Sequence, residues 1–203
     1  MIYSIVLAAG FSKRFGADKR FYGQPPLLLR TLNNIVRSQA NIIVVHRQHD
    51  DVLLETLATL PVQCVAVEDQ YRGQGASIAA AVKHVITLQQ PRAKDRQEGI
   101  EAVLICLADM PLIKPQTISK ISRYANQHRI VRPVYQGKPG HPVCFGSDFF
   151  SELAALTSDV GGKHIIGKHS ERVDYIDVDD HGVLFDVDTP EDACRLSQNN
   201  RSI

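Results

Sequence analysis

The stretch Leu7-Ala8-Ala9-Gly10-Phe11-Ser12-Lys13-Arg14-Phe15-Gly16-Ala17-Asp18-Lys19 decides how the rest of the chain is read. Ahead of it, Ile2 to Leu7 is an apolar, β-branched run of strand type and strand length. A glycine-bearing loop leaving a buried strand can turn backbone N–H groups toward an anion, because glycine accepts positive φ and no side chain blocks a close approach. Lys13, Arg14, Lys19 and Arg20 against Asp18 give a local charge of +3, four cations less one carboxylate. In isolation the stretch is also compatible with a basic, solvated loop.

Working outward, apolar runs recur at Ile2 to Leu7, Ile42 to Val45, Val62 to Val67 and Ala102 to Leu107, separated by helical patterns. Such alternation predicts an α/β fold with a largely parallel sheet. Apolar residues at 28, 29, 32, 35 and 36 have helical spacing within Pro26 to Ser38, and Asp50 to Leu60 repeats the pattern behind an aspartate. Gly73-Gln74-Gly75 leads into an alanine-rich helix to Leu88, with Ser77 in its first turn as a capping residue or a ligand contact. Gln90 to Gly99 reads as a polar connection. Ile130 to Tyr135 and Pro142 to Phe145 read as neighbouring strands around Gln136 to His141, followed by a helix near Asp148 to Leu156 and a polar turn at Thr157 to Lys163.

The 203 residues suit one domain spanning 1–203, and no repeat, low-complexity segment or heptad interrupts it. Lys plus Arg total 23 and Asp plus Glu 22, so a net charge of +1 gives no reason to expect nucleic acid or an acidic membrane as partner. The first seven residues lack the basic flank of a signal peptide, and no apolar run approaches the roughly 18 residues that span a bilayer. Cys64, Cys106, Cys144 and Cys194 form no Cys-x-x-Cys pair, and three lie in strand-like runs. Buried thiols in a reducing compartment, by default the cytoplasm, are expected.

Two carboxylates stand out. Val103 to Leu107 runs through Ala108 into Asp109, and Pro111 keeps Met110 out of a helix. Ligands of α/β sheets bind at the carboxyl ends of strands, and Asp109 is six residues before Pro115, the expected first residue of the next helix, too early to cap it. A metal or ligand role follows, since carboxylates favour hard cations such as Mg²⁺. Asp186 and Asp188 share a face at the end of a second strand-like run, although Asp188 and Thr189 could instead cap the helix opened by Pro190.

Together these segments resemble the MobA-like NTP transferases. Leu7 to Lys19 matches the signature LAAGxSxRxGxxK, and Asp109 lies in a variant of the GDMP motif. Arg72 to Ser77, Pro139-Gly140-His141-Pro142-Val143, Asp159 to Lys163 and Asp186 to Asp192 match four further segments in the family's order. Ala108 stands where Gly is usual, Ser158 replaces the Gly before Asp159, Lys163 replaces Arg, and Val67 or Glu68 stands near a frequent Asn. Within the family the resemblance is greatest to the molybdenum cofactor cytidylyltransferases, because the first loop is Leu-Ala-Ala-Gly and Gly-His-Pro-Val follows later.

The resemblance implies a Rossmann-like fold of the glycosyltransferase-A type. It also implies Mg²⁺-dependent transfer of CMP from CTP to the phosphate of molybdopterin, releasing pyrophosphate, with a receiving molybdoenzyme downstream. Nucleotide contacts are expected at Leu7, Ala8, Ala9, Gly10, Arg14, Lys19, Gly73, Gly75, Ser77 and Asp109, catalytic roles at Lys19, Arg14 and Asp109, and Mg²⁺ at Asp109 and Asp188. His141 and Asp159 fall on the acceptor side. A methyl at Ala9 narrows the space for a base and favours a pyrimidine. GTP as donor, a sugar or alcohol phosphate as acceptor, and a non-catalytic pterin carrier stay open.

Overall fold

The computed structural model describes residues 1–68, 73–89, 99–157 and 161–199. In chain order the elements are β1 (Ile2–Leu7), α1 (Leu27–Val36), β2 (Ile42–Arg47), α2 (Asp51–Leu57), β3 (Gln63–Val67), α3 (Gln74–Leu88), β4 (Ala102–Leu107) and α4 (Pro115–Arg123). They continue with β5 (Ile130–Tyr135), β6 (Lys138–Pro139), β7 (Val143–Gly146), α5 (Phe150–Ala154), α6 (Lys163–Lys168), β8 (Val173–Asp177) and α7 (Pro190–Asn199). The sheet order is β3-β2-β1-β4-β7-β5-β6, with β8 also paired to β5. Strands β3, β2, β1 and β4 run parallel, β7 reverses direction between β4 and β5, and β8 returns parallel to β5.

Successive side chains of a strand point to opposite faces, and both faces of this sheet are covered. Ile5, Ile43, Val103 and Ile105 pack under Ile78, Ala81, Val82 and Val85 of α3. Val6, Val44, Leu104 and Cys106 pack on the other face against Leu28, Leu32 and Ile35 of α1, Leu53 and Leu57 of α2, and Ile118 and Ile121 of α4. Double coverage is why β1 and β4 read as unbroken apolar runs. Leu32 is 0% exposed, and truncating such a leucine to alanine costs about 2–5 kcal/mol.

The β1–β4 register runs without a slip from Ile2↔Ala102 to Leu7↔Leu107. Both strands therefore finish level, and the loop after Leu7 and the aspartate after Ala108 emerge side by side. Asp109 does not cap α4, as its distance from Pro115 predicts. Instead the 1% exposed Asp180 accepts hydrogen bonds from Lys114 N at 2.8 Å and Thr117 Oγ1 at 2.6 Å, satisfying the start of α4 from far along the chain.

Two expectations are corrected. Residues 182–188 do not form a strand end: His181–Leu184 is a 3₁₀ turn and 185–188 lies outside the sheet. Asp180 also accepts from Gly182 N at 3.0 Å, and a Cβ on Gly182 would lie 2.3 Å from the Leu112 carbonyl oxygen, so this segment is folded tightly against the α4 approach. Cys64 is exposed although its run is strand-like, because β3 is the sheet edge; Cys106 and Cys144 are buried as expected, and burial pushes the Cys144 thiol up to about 12. The polar connection at 90–98 lies outside the described residues.

Candidate active site

The first loop is held by its own charges. Arg20 is 5% exposed; it donates from Nε to Asp18 at 2.8 Å and from Nη1 to the Ala8 carbonyl at 3.0 Å, and it also pairs with Asp50. Arg47, at the end of β2, pairs with Asp18 and approaches Asp50 at 3.6 Å. Two arginines and two aspartates thus neutralise one another. Of the four loop cations Arg20 is structural and is offset by Asp18, so the local +3 rests on Lys13, Arg14 and Lys19. Positive φ occurs at Ser12 and Gly16 rather than at Gly10. A Cβ on Gly10 would meet nothing within 4 Å, so the space before this residue is open on the protein side.

Asp18 accepts from Arg20 N at 3.2 Å and starts a 3₁₀ turn at Lys19–Phe21, while Lys19 N donates to Ser12 Oγ at 3.3 Å. These contacts aim the Lys19 ammonium into the crevice between Asp109 and Asp188, 2.7 Å from a carboxylate oxygen of each. Burial pulls the Lys19 pKa down, but the two carboxylates outweigh it and hold the ammonium above its usual value. Arg14 Nη1 meets the other oxygen of Asp188 at 2.9 Å from an exposed position.

The ambiguity at Asp188 is resolved by its neighbours. Thr189 and Asp192 form the reciprocal cap of α7: Asp192 N donates to Thr189 Oγ1 at 3.3 Å, and Asp192 Oδ2 accepts from Asp188 N and Thr189 N at 3.2 and 3.0 Å. The Asp188 carboxylate is thereby released from capping. A backbone bond from Val187 N to the Asp109 carbonyl at 3.0 Å fixes the two aspartates beside each other.

Asp109 Oδ1 is buried and has no hydrogen-bond partner among the described residues. An orphaned carboxylate oxygen beside a second carboxylate, with a cation already drawn between them, is a donor set that could hold a hard divalent ion. Among the described residues no group of three His, Cys, Asp or Glu side chains could hold a metal, so the set has two protein carboxylates.

A cavity of about 540 Å³ adjoins Asp109, lined by Leu7, Ala9, Gly10, Lys13, Gly73, Ser77 and Leu107 among others. Ser77 donates to the Gly73 carbonyl at 3.3 Å rather than capping α3, whose N-terminus faces the cavity. Ala8 and Gly75 are buried outside the lining: Ala8 packs in the α1 core with N–H on the Val45 carbonyl and its carbonyl on Arg20, so its main-chain groups are committed. Phe11, Arg47 and Gln74 also line the cavity, and the Arg47 guanidinium lies 5.2 Å from the Phe11 ring centroid. Arg47 escaped the sequence reading, although it ends a parallel strand at the same sheet edge as Leu7 and Leu107.

His141 lies across β4 from the cavity. Burial, then the charge of Arg132, lower its pKa to about 4 against the pull of the Ile105 backbone and Asp186, so the imidazole is neutral at pH 7. Its Nδ1 is buried without a partner. Burial, followed by the charges of Asp188 and Asp109, raises the Asp186 carboxyl above its usual value, although part of its surface is open. Arg72 and Asp159 lie outside the described residues.

The profile of the MobA-like NTP transferase domain matches residues 4–173. The chain belongs to this family. Among solved structures, the MobA-like chain is similar to Rv0371c from Mycobacterium tuberculosis, with 27% identity, 96% of each chain covered and a TM-score of 0.80. Similarity to a manganese complex of Rv0371c is 24% in identity over 96% of this chain and 97% of that one, with a TM-score of 0.73. A nucleotidyl transferase from Methanothermobacter shares the fold, at 16% identity over 100% and 99% of the two chains and a TM-score of 0.78. No curated protein matches the chain. It is a nucleotidyltransferase of the MobA-like family, and no helix among its described residues is long and apolar enough to cross a membrane.

Proposed function

We propose that the protein moves CMP from CTP to the phosphate of a phosphorylated pterin, molybdopterin or the molybdenum cofactor, and releases pyrophosphate. The observation that carries the transfer chemistry is the Lys19 ammonium held 2.7 Å from both Asp188 and Asp109, the latter on the wall of a nucleotide-sized cavity. Attack of an acceptor phosphate oxygen on the α-phosphorus brings two anions together, so the protein must neutralise charge and hold an in-line geometry. Backbone N–H groups near Ala9 and Gly10, with Arg14 and Lys19, bind the triphosphate. Gly73 and Ser77 face the nucleoside.

Asp109 and Asp188 would hold Mg²⁺, which when bound stabilises negative charge developing on the phosphate oxygens. The buried, unpaired Asp109 Oδ1 supports this assignment, as does manganese in the complex of the similar Rv0371c. Lys19 stays protonated between the carboxylates and turns its charge to the phosphates once they arrive. Support for cytidine is the methyl of Ala9 on the cavity wall. His141 belongs to the acceptor side. The 1–203 chain works as one transferase domain in the cytoplasm and hands its product to a molybdoenzyme.

Pyrophosphate release with each NTP in turn, Mg²⁺ and a phosphorylated pterin tests this. CTP is expected to support turnover at least tenfold better than GTP, a difference worth about 1.4 kcal/mol of transition-state binding. Equal rates would remove the base assignment. Pterin binding with no pyrophosphate release from any NTP would favour a carrier.

A further inference from the structure

Arg132, on β5, is a half-buried arginine without a carboxylate; Arg30, also without one, donates from Nε and Nη2 to the Pro25 and Gln24 carbonyls at 3.0 and 3.1 Å. Arg20 and Arg47 meet Asp18 and Asp50, Arg129 meets Asp174, and Arg172 meets Asp148. Arg132 forms no ion pair among the described residues. Its Nη2 reaches only the Gly140 carbonyl, at 3.3 Å, and its Nε is buried without a partner. Its charge is felt by His141, whose Nδ1 is also buried and unpartnered. A guanidinium carries five donors, so one long bond leaves an unsatisfied cation, which is costly where water is scarce.

The sheet places this pair next to the transfer site. In the β4–β7 register Ile105 faces Val143, and His141 lies two residues before Val143 on an antiparallel strand, which carries it toward the Leu107 end of β4. Asp186 lies between the two zones: it feels Asp109, Asp188 and Lys19 on one side and acts on His141 on the other. Lys13, Arg14 and Lys19 stand on the β1 side of that carboxylate, and Arg132 with His141 on the β7 and β5 side.

We propose that the Arg132 guanidinium, with neutral His141 in its neighbourhood, binds an oxyanion of the acceptor substrate, so that the acceptor lies over β7 and β5 while the nucleotide lies over β1, β4 and α3. The assignment rests on the transferase function proposed above. A planar, unpaired guanidinium matches the paired oxygens of a phosphate ester or a carboxylate. Neutral His141 adds no competing charge.

The test is calorimetric titration of the full chain with glycerol 3-phosphate and, separately, with glycerate, each without nucleotide and then with a non-hydrolysable CTP analogue and Mn²⁺. Wild type is expected to bind at least one of the two; the tighter identifies the oxyanion as phosphate or carboxylate. Arg132→Gln should weaken that binding about tenfold or more and Arg132→Lys less, while affinity for the CTP analogue stays within about twofold. Thermal midpoints separate binding from structure: an arginine with an unmet charge leaves the Gln variant as stable as wild type or more so, whereas a structural arginine leaves it less stable. Wild-type affinity in Arg132→Gln, no binding of either probe to wild type, or a clear loss of thermal stability would overturn the assignment. If wild type fails to bind the CTP analogue but the probe still depends on Arg132, the transferase function fails and the oxyanion site stands.

Discussion

The loop ends of β1, β2 and β4 and the neighbourhood of Arg132 on β5 pair their buried charges differently. At the ends of β1, β2 and β4 every buried cation has a carboxylate: Arg20 and Arg47 share Asp18 and Asp50, and Lys19 shares Asp109 and Asp188. At β5 and β7, Arg132 and His141 keep buried polar atoms without partners. Apart from the buried, unpaired Asp109 Oδ1, the first half is organised before any ligand arrives, and its loop is shaped by a neutral cluster with Lys13, Arg14 and Lys19 left to face phosphates. The second has its polar groups placed but unmet. A two-substrate enzyme can thus have one rigid pocket and one whose energetics are completed by the ligand.

The largest expected effect separates these halves at their seam. Asp109→Asn keeps the shape but removes the charge a divalent ion needs. Pyrophosphate release should fall about a thousandfold, a loss of several kcal/mol of charge stabilisation, with the circular dichroism of the folded protein retained. Activity near wild type would show that the seam is not the metal site.

Arg20→Met tests the paired half directly. Removing a buried cation that serves Asp18, Asp50 and the Ala8 carbonyl should cost about 3 kcal/mol in urea unfolding, in contrast to the neutral or positive change expected for Arg132→Gln. If both substitutions changed stability alike, the distinction between paired and unpaired halves would collapse. Lys19→Ala should reduce turnover about a hundredfold. A change within about threefold, under ~0.7 kcal/mol of barrier, would return Lys19 to a structural counter-ion. The same variant removes the cation between Asp109 and Asp188 and leaves only Arg14 on Asp188, so it should bind Mn²⁺ more tightly than wild type in the absence of nucleotide.

The smallest effect lies on the unpaired side and depends on pH. His141 is depressed to about 4 in the folded protein against 6.5 as reference, so between these values the unfolded chain binds the extra proton. Its contribution is fully present above pH 6.5 and is lost as pH falls toward 4. Between pH 7 and pH 5 wild type should lose about 2 kcal/mol more stability than His141→Asn, measured by urea unfolding at each pH. Parallel curves would mean that His141 titrates normally and is not enclosed beside Arg132.

Much of the paired half was legible in the chain. Strands buried on both faces leave continuous apolar runs, and the strand-end rule placed Asp109 correctly because the β1–β4 register has no slip. What stayed hidden depends on contacts between residues far apart in sequence. In sequence Arg20 is one loop cation among four, and the Asp50 that holds it lies thirty positions on. Asp188 was indistinguishable from a helix cap until Thr189 and Asp192 were seen to do the capping. Cys64 looked buried because a five-residue run does not reveal that its strand is the sheet edge. Arg132 carried no signal, since an arginine on a strand is remarked on only when its missing partner is known.

The most direct test of metal-assisted transfer at the Lys19, Asp109 and Asp188 crevice is pyrophosphate release from CTP with a phosphorylated pterin, compared in wild type and Asp109→Asn with and without Mg²⁺. Turnover that needs Mg²⁺ in wild type and disappears in Asp109→Asn is the predicted result. Turnover that is indifferent to the ion, or that survives the substitution, would contradict it.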